Sequence, residues 1–315
     1  MTGIEIVGTG RCVPSRLVTN DDLSRFVETS DEWIRTRTGI AQRYFCAEGE
    51  SNAQLAAGAA RAALERAGIS AEKIGLCVAA TFTADHAMPS LACEVHEALS
   101  LPESAPAFDV NAACTGFITA LETARSLLAG GSLKGTYALV IGSEAISRVL
   151  DMTDRNTCVL FGDGAGAAVI RLSDNHAYHC VMGARGDASL LHAGGAGCDE
   201  RFVHMEGKAV FRFASETVPK CVMQVLDSAG LTMEDIDYVV CHQANGRIID
   251  HVMKKLNAPA EKFYKNMQSY ANTSAASIAI ALDEMNEKGL LKPGTRIVCV
   301  GFGAGLTWGG TLLTF

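Results

Sequence analysis

The sequence predicts an α/β protein built from two related halves, and three features carry that expectation. They are an internal repeat, an alternation of amphipathic helix patterns with short apolar strands, and a composition that supports a large core. The 315 residues are 48% hydrophobic and 20% charged with 31 glycines, the balance of a globular α/β chain and not of a disordered one. Two packed domains of roughly 150 residues each suit that length.

The repeat sets the order of elements. Residues 63–80 align without gaps with residues 225–242, each stretch reading as an amphipathic helix ended by glycine (Gly68, Gly230), a short loop and a buried strand. A second match, residues 133–142 against 291–301, recurs at nearly the same separation. Between the matched blocks the first half offers a strand at Phe108-Asp-Val-Asn111 and an apolar helix at about 114–130. The second half offers a strand at Asp237-Tyr-Val-Val-Cys241, a helix opening near Asn245 and an apolar helix at about 274–288. The halves divide at 1–172 and 173–315. Alternating strands and helices predict mainly parallel sheets, with ligand sites at the carboxyl ends of the strands.

Composition excludes several function classes. With 27 basic against 35 acidic side chains the net charge is −8, which disfavours nucleic acid or an anionic membrane as a partner. No run approaches the roughly 18 apolar residues of a membrane helix, and residues 1–10 lack a signal peptide's pattern, so a cytoplasmic protein is expected. The eleven cysteines form no C-x-x-C pair, and most (Cys77, Cys158, Cys221, Cys241, Cys299) lie in apolar runs as reduced core residues. No metal site is expected. Gly8-Thr-Gly10 and Gly162-Asp-Gly-Ala-Gly166 are fragments of a dinucleotide fingerprint without its strand–turn–helix context, the first being followed by Cys12-Val-Pro14 and the second by a strand.

Three residues stand at strand-to-helix junctions. Cys114 follows a strand and opens an apolar helix, where the macrodipole would lower its pKa and make it the thiol that alkylates ahead of the other ten. Gly116 allows close backbone approach there. His242 ends a strand, and Asn272 precedes the Ala-rich helix of the second half. Spacing alone leaves each open: a core cysteine or a nucleophile, a structural or a catalytic histidine, a helix N-cap or a catalytic amide.

Asn111-Ala-Ala-Cys-Thr-Gly-Phe117, His242-Gln-Ala-Asn245, Asn272-Thr-Ser-Ala-Ala-Ser277 and Gly301-Phe-Gly-Ala-Gly-Leu-Thr-Trp-Gly309 together resemble the β-ketoacyl-acyl-carrier-protein synthase III family of the thiolase-fold superfamily. The similarity runs from the first strand to Phe315 and takes in residues 29–40, 153–155 and 161–168. It implies two duplicated halves in an α-β-α-β-α arrangement, a homodimer, and Cys114, His242 and Asn272 as the catalytic set. The implied reaction condenses a short acyl-CoA with malonyl-acyl carrier protein to 3-oxoacyl-acyl carrier protein, CO2 and CoA, with no metal or other cofactor. Cys114 would take the acyl group, with backbone N–H groups of Cys114 and Ala304 as oxyanion donors, while His242 and Asn272 would hold the malonyl thioester oxygen.

The resemblance also implies a CoA adenine held by Trp33, Arg37 and Arg155, and a pantetheine tunnel lined by Gly207, Phe211, Ala244 and Asn245. Phe302 would crowd the malonyl carboxylate. Two positions depart from the family pattern: Ala304 stands where glycine is usual, and Met88 where acetyl-specific relatives often carry Phe at the floor of the partner's acyl pocket. A ketosynthase of secondary metabolism with another primer or acceptor would show the same triad. Degradative thiolases use a second cysteine, absent from residues 301–305, and hydroxymethylglutaryl-CoA synthase uses a Glu acid.

On a helix from Asn245, Arg247, His251, Lys254 and Lys255 share one face, giving a local basic patch on an acidic chain. With Arg212 it forms the expected docking surface for an acidic carrier protein.

Overall fold

A computed structural model describes residues 2–133, 135–195 and 197–315; Lys134, in the second match of the repeat, lies outside them. The first half runs β1 (Gly3–Cys12), β2 (Arg16–Thr19), α1 (Asn20–Leu23), α2 (Asp31–Thr38), β3 (Gln42–Phe45), α3 (Asn52–Ala67), β4 (Ile74–Ala80), α4 (Leu91–Ala98) and β5 (Ala107–Val110). It continues through α5 (Gly116–Ala129), β6 (Tyr137–Glu144), α6 (Arg155–Cys158) and β7 (Gly164–Ser173). The second runs β8 (His179–Asp187), β9 (Leu191–His192), β10 (His204–Met205), α7 (Gly207–Ala229), β11 (Tyr238–Cys241), α8 (Gly246–Lys255) and α9 (Met267–Tyr270). It closes with α10 (Ala276–Glu287), β12 (Arg296–Gly303) and β13 (Gly305–Thr314).

The duplication is visible element by element. Gly68 and Gly230 end α3 and α7 in the left-handed conformation, at φ +62° and +66°, and β4 and β11 follow at matching distance. The first sheet has the order β1-β7-β6-β4-β5 and the second, read the same way, β8-β13-β12-β11. The fifth strand of the second half is reduced to a single parallel bridge between Val239 and Phe263.

The expectation of mainly parallel sheets is corrected. In these two sheets the β4–β5, β4–β6 and β11–β12 pairs are parallel, and the β1–β7, β6–β7, β12–β13 and β8–β13 pairs are antiparallel. For β12–β13 the reason is the short return at Ala304 with no crossover helix, since a turn that tight joins only antiparallel neighbours; β6 and β7 pair antiparallel across the longer segment that carries α6.

Burial follows the period-2 alternation of the strands and produces five layers. One face of the first sheet, with Cys77, Ala79, Leu139 and Ile141, packs on α3 and α4. Its other face, with Leu76, Val78 and Val140, shares a core with Val240, Ile297 and Cys299 of the second sheet; between them lie Phe117, Ile118 and Leu121 of α5 and Ile278, Leu282 and Met285 of α10. Val239, Cys241, Val298 and Val300 face the opposite way, onto α7 and α8. The order is α-β-α-β-α, and the turns opening α5 and α10 fall where the halves meet.

Candidate active site

Cys114 sits in a 3-10 turn, Ala113–Thr115, between β5 and α5. The chain enters it sharply. Ala113 takes φ +46°, a left-handed conformation that costs an L residue energy, and its N–H donates to Asn111 Oδ1 at 3.2 Å. Gly303 closes the other side: a Cβ there would lie 2.8 Å from the Cys114 nitrogen. Gly116 permits the close approach expected of it, its virtual Cβ lying 2.9 Å from that of Ala80.

Two expectations for Cys114 are corrected. The α-helix starts two residues later than the sequence suggested, and burial pushes the thiol up to about 12, opposite to the macrodipole's direction. At 8% exposure the side chain is buried in the wall of the site, where the protonated thiol is favoured.

His242 follows β11, its N–H donating to Val300 O at 2.7 Å, and its ring meets Phe302 edge-on at 5.4 Å between centroids. Nδ1 lies 2.7 Å from Ser277 Oγ. That oxygen also accepts the Gln243 N–H at 3.4 Å; with the Ser277 hydroxyl donating to Nδ1, the hydrogen of the neutral ring lies on Nε2. Burial pushes His242 down to about 3, and the ring is therefore neutral near pH 7.

Asn272 is pinned to the first half, its N–H donating to Leu160 O at 3.0 Å and its C=O accepting from Gly162 N–H at 3.0 Å. It is not an N-cap, since α10 begins four residues later. Its Oδ1 accepts the Ser274 N–H at 2.9 Å, leaving Nδ2 as the free end of the amide. In that tautomer Nε2 of His242 is a donor beside Nδ2 of Asn272.

Cys114, His242, Asn272 and Phe302 line one cleft of about 750 Å3, together with Gly207, Phe211, Ala244 and Asn245. Asn245 also caps α8, accepting the Arg247 N–H at 2.9 Å. A smaller cavity of about 240 Å3 adjoins it, lined by Phe82, Phe161, Leu191, Val203 and Ala304, and Cys114 lies in the wall of both. Trp33, Arg37 and Arg155 form a separate cluster, the guanidinium carbons 5.8 Å (Arg37) and 5.0 Å (Arg155) from the indole centroid. In this arrangement Arg155 lies directly on the indole, so a purine enters between them only when they part. Met88 lines neither cavity and is 86% exposed.

Arg247, His251, Lys254 and Lys255 are exposed along α8 while Ile248, Ile249 and Val252 are buried, and Arg212 is exposed on α7. Lys208, unmarked by the sequence reading, adds a cation at the cleft itself. Also missed were Phe161 and Leu191, shared by both cavities. Among the described residues no three His, Cys, Asp or Glu side chains are grouped to hold a metal ion, and no helix is long and apolar enough to cross a membrane.

Comparison with known proteins gives a consistent result. Residues 108–186 match the family model described as 3-oxoacyl-[acyl-carrier-protein (ACP)] synthase III, and residues 226–315 match that of its C-terminal part. The chain is 46% identical to the beta-ketoacyl-[acyl-carrier-protein] synthase III of Clostridium acetobutylicum, with 99% of each chain covered. It superposes on the crystal structure of 3-oxoacyl-[acyl-carrier-protein] synthase III from Aquifex aeolicus with a TM-score of 0.94 and 43% identity, over 99% of this chain and 100% of that one. The priming beta-ketosynthase from the R1128 polyketide biosynthetic pathway is similar too, at 35% identity and a TM-score of 0.91 over 99% of this chain and 96% of that one.

Proposed function

This chain belongs to the 3-oxoacyl-[acyl-carrier-protein] synthase III family, and from that premise we propose that it carries out the initiating condensation of fatty acid biosynthesis. A short acyl-CoA and malonyl-acyl carrier protein give 3-oxoacyl-acyl carrier protein, CO2 and CoA through an acyl-Cys114 intermediate. The observation that carries the reading is one wall shared by a long cleft and a small apolar cavity, with Cys114 in that wall and the donors of His242 and Asn272 on the cleft side.

The first half-reaction places the acyl tail in the smaller cavity and the pantetheine arm in the cleft, past Gly207, Phe211, Ala244 and Asn245. Trp33, Arg37 and Arg155 hold the adenine, offering flat faces to a purine. Cys114 attacks the thioester carbon, and backbone N–H groups of Cys114 and Ala304 hold the oxyanion. In the second half-reaction malonyl loses CO2, and charge builds on its thioester oxygen between the His242 and Asn272 donors. Phe302, against the imidazole, crowds the departing carboxylate. The carbanion then displaces Cys114 from the acyl group. Met88, standing clear of its own chain, is assigned to the acyl pocket of a partner subunit in a homodimer.

The test is incubation with malonyl-acyl carrier protein and a panel of straight and branched acyl-CoA primers. The expected result is 3-oxoacyl-acyl carrier protein and CO2 in equal amounts with a short primer; release of neither with any primer overturns the reading.

The exposed cations of α8 and Arg212 form the rim on which an acidic carrier protein docks, steered by opposite charge. Arg247→Glu with Lys255→Glu is expected to raise KM for malonyl-acyl carrier protein on the order of tenfold, with kcat and acetyl-CoA self-acylation little changed. Added salt should weaken the parent's use of the carrier more than the variant's. Equal KM values at low ionic strength would move docking to another surface.

A further inference from the structure

The cleft that leads to Cys114 is poor in positive charge. Its ionisable lining residues are Cys114, His242, Asp154, His204, Glu206 and Lys208, and Lys208 is the single Lys or Arg among them. Both carboxylates have partners of their own. Asp154 caps α6, accepting the Asn156 N–H at 2.9 Å and the Thr157 hydroxyl at 2.7 Å, and Glu206 Oε1 lies 3.6 Å from His204 Nε2. The Lys208 ammonium makes no ion pair and no hydrogen bond among the described residues. Lys262, Lys265 and Lys288 differ in this respect, being held by carbonyls or carboxylates.

Position along the cleft adds to the charge. Cys114 and His242 are buried, whereas Gly207 and Lys208 are exposed, so the site runs from a closed inner end to an open outer one with Lys208 at the outer end. The path beside it is clear. A Cβ placed on Gly207 would meet only the Met205 Cε, at 3.8 Å, so a thin chain lying along Gly207 passes next to the lysine that follows it.

The two substrates proposed above share one anion. Each carries its thioester on a pantetheine arm whose far end is a phosphate, a pyrophosphate in CoA and a phosphodiester in the carrier protein. With the sulfur at Cys114, that phosphate lies towards the outer end of the cleft, where two partnered carboxylates and one free cation line the wall. We infer that Lys208 binds this phosphate in both half-reactions and selects phosphorylated pantetheine thioesters over unphosphorylated ones. The inference rests on the substrates proposed above.

Lysine is a suitable residue for the task. An ammonium is a compact point charge on a flexible stem, so it meets a pyrophosphate and a phosphodiester equally well, and at an exposed position it releases CoA before the carrier's arm enters. Its role differs from that of the α8 rim. The rim cations meet the folded surface of the carrier protein, which CoA lacks, and Lys208 meets what the two substrates have in common.

The experiment measures acylation of Cys114 by rapid quench and mass spectrometry with acetyl-CoA, acetyl-phosphopantetheine and acetyl-pantetheine. The second and third donors differ only by the phosphate, which separates it from the adenine. The parent should use acetyl-phosphopantetheine roughly tenfold better in kcat/KM than acetyl-pantetheine, with the gain in KM, as expected for one charge-assisted contact. Added salt should shrink that ratio. Lys208→Ala should bring it close to one and Lys208→Glu below one, while Lys208→Arg should retain it; melting curves matching the parent's identify folded variants. Lys208→Ala should also raise KM for acetyl-CoA and for malonyl-acyl carrier protein alike, whereas Arg247→Glu with Lys255→Glu raises it for the carrier alone. A ratio near one in the parent, or one that Lys208→Ala leaves intact, overturns the inference. Failure of acetyl-CoA to acylate the parent at all would count against the proposed function instead.

Discussion

Cys114→Ala is expected to form no covalent adduct with radiolabelled acetyl-CoA, where the parent forms one that hydroxylamine cleaves. Condensation should fall by on the order of 10⁴-fold or more, since removing a nucleophile removes the intermediate itself and not one of several stabilising contacts. The fold should survive, because alanine fills most of the volume of a small side chain in an already formed turn. The buried thiol, pushed up to about 12, makes a second outcome distinctive. Iodoacetamide near pH 7 should alkylate the exposed Cys93 and Cys198 first, while acetyl-CoA, which is positioned by the cleft, should acylate Cys114 alone. Acylation at Cys93 or Cys198 with Cys114 untouched would overturn the assignment of the nucleophile.

His242→Ala and Asn272→Ala should each lose malonyl decarboxylation by ~10²–10³-fold, the scale for one oxyanion donor, with acylation of Cys114 affected less. Asn272→Asp should be worse than Asn272→Ala, because a carboxylate repels the oxygen that the amide stabilises. The imidazole has a pH signature as well. Pushed down to about 3 by burial, it stays neutral throughout the working range, so decarboxylation should show no inflection near 6.5, the ordinary histidine value. The stability sign follows: the unfolded chain binds this proton below 6.5 and the folded chain only near 3, so stability present above 6.5 is lost as pH falls towards 3. His242→Gln should flatten that part of the stability–pH curve. Condensation near the parent rate in either alanine variant would remove its proposed role.

Much of the fold was legible because repetition and periodicity are local properties of the chain. Gly68 and Gly230 marked the ends of equivalent helices, and the alternation of Val239 with Val240 and of Val298 with Cys299 already encoded a sheet covered on both faces. Strand direction was less legible, because whether β12 crosses over or turns back depends on pairing across the sheet and not on its own pattern. The motifs around Cys114, His242 and Asn272 marked three loops in advance. Their spacing alone favoured a core cysteine, a structural histidine and a helix cap.

By itself the sequence determined the duplicated α/β halves, the family, and the loops that carry Cys114, His242 and Asn272. Only the tertiary structure decided the chemical state of those groups, since protonation and donor direction are set by neighbours far away in the chain. Burial by surrounding elements favours the thiol of Cys114 and the neutral ring of His242, Ser277 holds Nδ1 of that ring, and the Ser274 N–H turns the Asn272 amide so that its Nδ2 is free to donate. Glu144 was invisible for the same reason: at the end of an apolar strand it reads as an ordinary polar terminus. Its buried contacts with Thr81, Phe82 and Thr83 exist only once β4 and β6 pair.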